Sequence, residues 1–468
     1  HTNPDYSCAY VTIKTNKGIE GYGLTFTLGR GTEIGTDIYL SIETTIYELS
    51  KFSLKYFAVV QACKSMFYLV KGQNANEIFT HFGSFWRKLT SEPQLRWVIC
   101  YKHSGFKLKS RVQYKRAFQI LRQIGPEKGV IHLATAAIIN GLWDLWARIE
   151  NKPVWKLLTD LTPEQLVSTI DFRYITDVIT EEEAVELLKV NQKDKEEREE
   201  ILRKTGYPAY TTQVGWLGYS DDKVKDLCTK FLALGFTSFK VKVGQNLTDD
   251  ITRCQLVREA IGYKNKLMLD ANQIWNINES IEWMKKLAKF EPTWIEEPTS
   301  PDDVLGHLKI ANELRPHGIG IATGEMCANR VMFKQLLQAR AIDYCQIDSA
   351  RIGGVNEILA VYLMAKKLNV PVCPHAGGVG LCEMVQHLQM WDFICLSAST
   401  ENRVIEYIDQ QHEHFEDPVL VQNACYMPPI SPGYSTKFNE DCIKNYSYPN
   451  GEKWKNMYEQ GLFHKLSD

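Results

Sequence analysis

Ionisable residues recur along the second half of this chain at intervals of about 23 to 31 residues, the length of one strand–helix unit. Each of them ends or follows a short apolar run of the kind that forms a buried strand. The set is Lys242, Asp270, Glu296, Glu325, Asp348, His375 and Glu406. Buried charges are unfavourable unless they serve a site, so this regular placement indicates chemistry rather than core packing.

Two lysines lie close together at the start of this series. In the segment 238–244 the side chains alternate between two faces, so Lys240 and Lys242 share one face and valines occupy the other. Neighbouring ammonium groups repel each other, and we expect the pKa of at least one to fall toward neutrality. Lys242 is therefore a candidate general base, with Lys240 lowering its pKa and contacting an anionic oxygen. The simpler interpretation is a pair of surface lysines on an edge strand.

Three carboxylates from consecutive strands predict a divalent metal. Asp270, Glu296 and Glu325 offer only oxygen ligands, and a set without Cys or His selects a hard cation such as Mg²⁺. Any one of them alone would fit a salt bridge or a helix cap equally well, and only the trio in register favours a metal. Glu297 must point away from Glu296, and we expect it to support that residue or to pack.

A second acid or base is predicted on the other side of the site. Asp348 and His375 lie on adjacent strands, where a carboxylate bonded to the imidazole fixes its tautomer and raises its basicity. With a lysine opposite and a metal between them, these groups suit removal of a proton α to a carboxylate. The outcome is racemisation or loss of a β-hydroxyl, depending on how the second acid is used. Glu406 would hydrogen-bond the developing enolate if it were protonated.

The elements that must position these residues belong to an α/β fold. From residue 208 to about 408, short apolar strands alternate with amphipathic helices, which predicts a parallel sheet and a modified TIM (β/α)7β barrel with its site at the strand ends. The expected strands are 238–243, 267–270, 294–296, 319–322, 344–347, 370–373 and 404–406. Residues 1–207 are expected to form an α+β domain, and residues 409–468 a tail that packs on it.

Three segments of the first domain have distinct patterns. Residues 34–95 look mainly helical, and an alanine-rich apolar pattern predicts a buried helix over 132–149. Residues 98–123 hold seven Lys or Arg and no Asp or Glu, which suits a solvated or poorly ordered insertion better than a basic arm. Residues 180–204 are dense in charge with helical periodicity, which predicts an exposed helical excursion.

Composition limits the classes of partner. With 54 basic and 56 acidic residues the net charge is −2, which gives no indication of a nucleic-acid or acidic-membrane partner. No run of 18 apolar residues exists that would predict a membrane span. The 12 cysteines are scattered without zinc-type spacing, which is typical of reduced, mostly buried thiols.

Six short motifs resemble a known family. They are Lys240-Val241-Lys242, Leu269-Asp270-Ala271-Asn272-Gln273, Trp294-Ile295-Glu296-Glu297-Pro298, Thr323-Gly324-Glu325, Gln346-Ile347-Asp348 and Pro374-His375. They are similar to motifs of the enolase superfamily, in its mandelate-racemase-like branch. The sequence around them resembles the L-fuconate dehydratases of that family over nearly the whole chain. The resemblance implies a capping domain beside the barrel and a Mg²⁺-dependent hydro-lyase that dehydrates L-fuconate to 2-keto-3-deoxy-L-fuconate.

The resemblance also implies individual roles. Lys242 would be the base and His375, paired with Asp348, the acid. The implied substrate contacts are Tyr6, Lys240, Asn272, Glu325, His375, Ala376, Gly377 and Glu406. The expected partner is a small acid sugar, a mitochondrial location is implied with the cytoplasm left open, and a homo-oligomer is compatible with the family.

Two departures from the family keep alternatives open. The family's capping domain begins with a strand and a flexible glycine-containing loop ahead of the position of Tyr6, and we expect this sequence to start too late to hold them. In the family that loop closes over the substrate and helps to set specificity. Residues 98–123 interrupt a region that runs continuously in the family. The alternatives are a dehydratase or racemase for another acid sugar, or a catalytically impaired variant that acts as a binding or regulatory protein.

Overall fold

The computed structural model describes residues 6–28, 37–39, 56–91, 127–447 and 450–461 of the 468-residue chain. The expected insertion at 98–123 lies outside these described residues. The first part of the chain supplies a small sheet and three helices. They are β1 (Tyr6–Lys14), β2 (Glu20–Leu28), β3 (Asp37–Tyr39), α1 (Tyr56–Val70), α2 (Ala75–Thr80) and α3 (Phe82–Ser91). The helical expectation for 34–95 is therefore wrong at β3 and confirmed over α1 to α3.

The first two strands form a hairpin that packs on a long helix. β1 pairs antiparallel with β2, because alternating β-branched and aromatic residues favour strands and Gly18, with φ of 78°, permits the turn. Helix α4 (Gly129–Ile149) covers β2. A Cβ built on Gly23 would lie 2.1 Å from the carbonyl oxygen of Ala137, so only glycine allows this approach.

Helix α4 is the buried helix that the alanine-rich pattern predicts. By length and composition it could also cross a membrane, but 83% of its most apolar window is buried inside the protein. A core helix passes the same test of length and hydropathy. Trp143 and Asn140, both fully buried, lie on this helix and face the barrel, where they bond Asn356 and Ser349.

Short helices complete the first domain. They are α5 (Val154–Asp160), α6 (Pro163–Ser168), α7 (Glu181–Lys189) and α8 (Lys195–Thr205). The charged excursion consists of α7 and α8, and Thr180 starts it with a capping box in which its hydroxyl accepts from Glu183 N at 3.2 Å. Arg198 on α8 donates to the carbonyl of Ile394 at 2.8 Å, so the excursion packs on the barrel's last helical segment.

Seven strands form the core of the second part of the chain. They are β4 (Tyr207–Gly215), β5 (Ser238–Lys242), β6 (Lys266–Asp270), β7 (Pro292–Glu296), β8 (Gly320–Thr323), β9 (Tyr344–Cys345) and β10 (Ile405–Tyr407). β4 to β9 pair parallel in chain order, and β10 returns to pair parallel with β4. Between β9 and β10, residues 372–375 make two parallel bridges to residues 345 and 348. This circular order is that of a barrel.

Helices alternate with these strands. They are α9 (Asp221–Ala233), α10 (Leu247–Ile261), α11 (Ile277–Leu287), α12 (Val304–Leu314), α13 (Arg330–Gln338), α14 (Val355–Lys367) and α15 (Leu381–Trp391). Side chains of Ser220, Asn246 and Asn276 accept hydrogen bonds from the first turns of α9 to α11. These caps stabilise the starts of the helices. Each helix returns the chain along the sheet, so that successive parallel strands end at the same edge.

Two strand predictions need correction. The first barrel strand, β4, was absent from the expected set, and the expected strand 370–373 forms isolated bridges rather than a ladder. The remaining expected strands are present, although β9 is shorter than predicted.

The tail contacts both parts of the protein. It contains β11 (Val421–Gln422), β12 (Cys425–Tyr426), α16 (Glu440–Tyr446) and α17 (Glu452–Glu459). β12 pairs antiparallel with the start of β4. Residues 434–438 reach the first domain, where Thr436 donates to the carbonyl of Tyr22 at 2.6 Å. The exact domain boundaries, 207 and 408, stay a prediction.

Candidate active site

The two lysines of β5 reach the carboxylates of the neighbouring strands. Residue 242 pairs in register with residue 270, so the ends of β5 and β6 are level. Lys242 is ion-paired with Asp270. Lys240, buried below it, lies 2.6 Å from Glu296 Oε1 and 2.8 Å from Glu406 Oε1. Both lysines therefore face the site, and the surface-strand interpretation is wrong.

The expected fall in a lysine pKa is also wrong in this structure. Burial lowers the pKa of Lys242, but Asp270 more than compensates, and the pKa is raised above its ordinary value. Lys240 likewise keeps a raised pKa, because Glu296 and Glu406 outweigh its burial. Each ammonium group has a carboxylate partner, so the repulsion between them is not the controlling interaction.

The three predicted ligand carboxylates are all buried, and Glu296 lies at their centre. Its Oε2 accepts a hydrogen bond from Gln346 Nε2 at 2.6 Å, and from the Trp294 indole at 3.3 Å. Burial raises the pKa of Glu296 to about 8, with further increases from neighbouring carboxylates against the lowering by Lys240. Asp270 has a lowered pKa despite its burial, because both lysines stabilise its charge.

The chemistry of these donors fits a hard divalent cation. Three buried carboxylates supply only oxygen donors, and the buried Glu297 Oε2 next in sequence to Glu296 has no hydrogen-bond partner. Within the residues that the structure describes, no three His, Cys, Asp or Glu side chains already form a group that could hold an ion. Asp270 is ion-paired with Lys242, and Glu296 Oε1 lies 2.6 Å from Lys240 Nζ, so the two lysines contact two of the predicted ligand carboxylates.

The predicted Asp–His pair is formed. Asp348 Oδ2 lies 2.8 Å from His375 Nδ1, and His375 Nε2 lies 3.3 Å from Glu325 Oε2. Burial lowers the pKa of His375, but Glu325, Asp348 and Glu406 raise it to about 10. The imidazole is thus protonated at neutral pH in this structure, which is the form that an acid needs.

Glu406 does not have the protonated form that we considered for it. Although burial raises its pKa, Lys240 and His375 lower it to about 2. Its Oε2 also accepts a hydrogen bond from the Ala376 amide at 2.8 Å. An ionised Glu406 cannot donate to an enolate, but it pairs with Lys240, accepts from the Ala376 amide and could accept from a substrate hydroxyl.

The remaining predicted substrate contacts are placed unevenly. Ala376 and Gly377 follow His375, and the Ala376 amide donates to Glu406 whereas the Gly377 amide lies 3.2 Å from His375 Nε2. Asn272 has a left-handed backbone with φ of 45°, and its amide donates to Asp270 Oδ1 at 2.9 Å. Such conformations in non-glycine residues concentrate at functional sites. Tyr6 begins β1, but its side chain lies outside the described part of the structure.

Sequence reasoning missed three residues that support the site. Tyr210 on β4 is fully buried, and its hydroxyl lies 3.4 Å from Lys240 Nζ. Trp294, on the same strand as Glu296, and Gln346, which follows β9, both donate to Glu296. Trp294 lies two residues before Glu296 on the same strand, so strand alternation could have found it. Tyr210 lies on β4, a strand that has no charged residue to mark it as part of the site.

Comparison with known proteins assigns the family. A family model described as enolase C-terminal domain-like matches residues 223–442. The chain is 54% identical over 459 residues to mitochondrial enolase superfamily member 1 of Homo sapiens, covering 98% of this chain and 92% of that protein. The chain belongs to the enolase superfamily. The crystal structure of the human protein matches this superfamily member with a TM-score of 0.85 over 97% of this chain and 92% of the other.

Two dehydratases are also similar to this superfamily member, one in sequence and one in structure. L-galactonate dehydratase of Hypocrea jecorina is 44% identical over 455 residues, which is 96% of this chain and 90% of the relative. L-talarate dehydratase from Polaromonas sp. JS666, crystallised with Mg and L-glucarate, has a TM-score of 0.62. It covers 94% of this chain and 95% of its own, and at 19% identity it shows the fold alone. These matches confirm the resemblance and the barrel-type fold class.

Proposed function

We propose that this protein is a Mg²⁺-dependent acid-sugar dehydratase. The observation that carries the proposal is the placement of Lys242 and the Asp348–His375 pair on separate strands of one parallel sheet, with buried carboxylates on the strands between them. The names of the galactonate and talarate dehydratases support the reaction class. The magnesium in the talarate dehydratase crystal supports the metal.

The residues of this chain divide the reaction into two proton transfers. Lys242 Nζ takes the proton α to the substrate's carboxylate, for which it must be neutral and released from Asp270. His375 then gives its Nε2 proton to the β-hydroxyl, which leaves as water while the electrons form an enol that becomes the 2-keto-3-deoxy acid. Asp348 holds Nδ1 and stabilises the imidazolium before transfer.

A metal would connect the two halves electrostatically. Mg²⁺ held by Asp270, Glu296 and Glu325 would neutralise these carboxylates and stabilise the charge that develops on the substrate carboxylate. Lys240 contributes a fixed positive charge beside Glu296 and Glu406, at the same buried level. We assign the substrate contacts to Lys240, Asn272, Glu325, Ala376, Gly377, Glu406 and, from the first domain, Tyr6.

We propose L-fuconate as the substrate, by resemblance. L-Fuconate is the 6-deoxy form of L-galactonate, the sugar acid named in the fungal relative, so the two share their stereochemistry at the reacting carbons. The name of the human relative supports a mitochondrial location. A site that hydrogen-bonds the extra hydroxyl of L-galactonate would disfavour L-fuconate, and a site that leaves it in water would accept both.

The test is incubation of the purified protein with Mg²⁺ and each sugar acid in turn, with the 2-keto-3-deoxy product measured. We expect product from L-fuconate, its loss with EDTA, and its loss in Lys242→Ala. Lys266→Ala is the matched control, because Lys266 is exposed at the opposite end of the neighbouring strand β6. Retained turnover in Lys242→Ala would show the mechanism to be wrong. Turnover of L-galactonate alone would correct the substrate.

Two outcomes correspond to the alternatives. Exchange of the α-proton without loss of water would identify a racemase. Binding of Mg²⁺ with no exchange and no dehydration of any acid sugar would identify a binding or regulatory protein. An acid at His375 would serve either reaction, and the name of the galactonate dehydratase relative favours the dehydratase.

A further inference from the structure

The loop that carries Asp348 lies beneath the first domain. Asp348 Oδ1 accepts the amides of Ala350 at 2.7 Å and Arg351 at 3.0 Å, while its Oδ2 holds His375. The orientation of this carboxylate therefore depends on the conformation of residues 349–354, which we name the dyad loop. A shift of the dyad loop would move the imidazole with it.

Three side chains from three separate elements of the first domain donate to carbonyls of the dyad loop. Thr25 on β2 donates to Ala350 O at 2.6 Å, and Asn140 on α4 to Ser349 O at 3.1 Å. Trp86 on α3 donates to Gly353 O at 2.7 Å. All three donors are buried to within 1% of full burial, so each lost bond would leave an unpaired carbonyl away from water.

A fourth contact holds the end of the dyad loop through an acidic residue of the barrel. Glu357 Oε2 accepts the Gly353 amide at 2.6 Å and lies 2.5 Å from His132 Nε2 of helix α4. A Cβ added to Gly353 would approach His132, Trp86 and Glu357 to within 2.9 Å. The loop is thus packed against the first domain without room for adjustment.

The base side of the site has no such attachment among the described residues. The bonds of Lys240 run to Tyr210, Glu296 and Glu406, which all belong to barrel strands. Lys242 is bonded to Asp270 on the adjacent strand. Within the described parts of the first domain, the contacts to the two halves of the site are therefore unequal.

We propose that Thr25, Trp86, Asn140 and His132 are positioning residues for the Asp348–His375 pair, and that the first domain thereby controls elimination rather than α-proton removal. The catalytic part of this inference rests on the proposed dehydratase function, whereas the positioning part does not. Loosening the dyad loop should impair proton donation by His375 and leave proton removal by Lys242 intact. The enolate would then return its proton more often than it loses hydroxide.

The first test needs no substrate. Thr25→Val removes one donor and keeps the shape of the side chain, while Trp86→Phe removes the indole donor together with part of the ring. Trp143→Phe is the matched control, because Trp143 is equally buried and donates from α4 to Asn356 Oδ1 at 2.8 Å rather than to the dyad loop. We expect amide hydrogen exchange of the peptide covering 349–354 to quicken several-fold in the first two variants and to stay unchanged in the control. Equal effects in all three, or none, would overturn the positioning.

The second test measures the partition of the intermediate. In D₂O we compare deuterium entering recovered substrate with keto acid formed. Thr25→Val and Trp86→Phe should raise the ratio of exchange to dehydration several-fold, while Trp143→Phe and the conservative Thr25→Ser keep the wild-type ratio. A parallel fall of both rates would overturn control of elimination. If wild type neither exchanges nor dehydrates, the dehydratase function fails, and hydrogen exchange alone decides the positioning.

Discussion

At the scale of single residues, the charges of the site are shared so closely that no group acts alone. Lys240 lies between two carboxylates, and His375 lies near three. A lysine can become a base here only when another cation neutralises its carboxylate partner, because that partner raises the lysine pKa. Proton transfer and cation binding are therefore linked through the same oxygens.

Asp348→Asn should reduce dehydration by a factor on the order of 10³–10⁴ while keeping the fold. An asparagine oxygen can still accept the amides of residues 350 and 351, but the charge beside His375 Nδ1 is lost. Asp343→Asn is the control, because that partly exposed carboxylate does not contact the imidazole. Its Oδ1 lies 2.9 Å from Arg315 Nε. Steady-state rates and melting temperatures of both variants check the prediction, and an active Asp348→Asn would contradict it.

The types and spacing of the site residues could be predicted because a parallel sheet brings its strand ends together. The ionisation states could not, because they depend on which charges end up a few ångströms apart. Two adjacent lysines suggest repulsion, yet in the structure Lys242 meets Asp270 first. The protonated form considered for Glu406 is wrong for the same reason, because its partner Lys240 lies 166 positions away along the chain (406 − 240).

At the scale of elements, the strands with ionisable ends were recognised and those without were not. β4 begins Tyr-Pro and ends in Gly, with no charged residue to signal a site. Residues 370–373 have an apolar strand sequence, but the backbone makes only isolated bridges there. Pattern reports which side chains are buried, whereas ladder formation also needs a partner strand in register.

Glu357→Gln should flatten the acid side of the stability profile. His132 and Arg330 lower the pKa of Glu357 from 4.5 to about 2 against the effect of burial. A carboxyl group whose pKa is lower in the folded than in the unfolded state stabilises the fold at pH values above its unfolded-state pKa. This stabilisation, here about 3 kcal/mol, is lost as the pH falls through the folded-state pKa. Thermal unfolding between neutral pH and about pH 3 measures this, with the exposed Glu313→Gln as the small-effect control. An unchanged profile in Glu357→Gln would contradict the assignment.

Gly378→Ala should disturb the contact between β2 and the loop that follows His375. A Cβ at residue 378 would lie 2.5 Å from the Phe26 ring. We expect a loss of roughly 1–3 kcal/mol in stability, with reduced turnover. Adding Phe26→Leu makes room and should restore part of both in a double-mutant comparison. Strict additivity of the two substitutions would contradict a direct clash.

At the scale of the whole molecule, Asp144 joins three parts of the chain. Its buried carboxylate accepts from the Tyr22 amide at 2.8 Å, the Tyr434 amide at 2.6 Å and Arg148 Nε at 2.7 Å. Asp144→Ala should lower the free energy of unfolding by roughly 3–5 kcal/mol, because one buried and two partly buried donors lose their buried acceptor. Urea unfolding checks this, with Asp160→Ala, in a partly exposed pair with Lys156, expected to change little.

The tail that Asp144 binds is made long after the strands it covers. Thr436 bonds Tyr22 across 414 positions, and Phe438 bonds Tyr10 across 428. A ribosome adding ~5–20 residues per second needs roughly 20–80 s to span that separation. Throughout this interval β1 and β2 lack their contacts with residues 434–438, because the barrel residues are synthesised before the tail. The nascent chain therefore cannot complete this part of its core until its final segment leaves the exit tunnel.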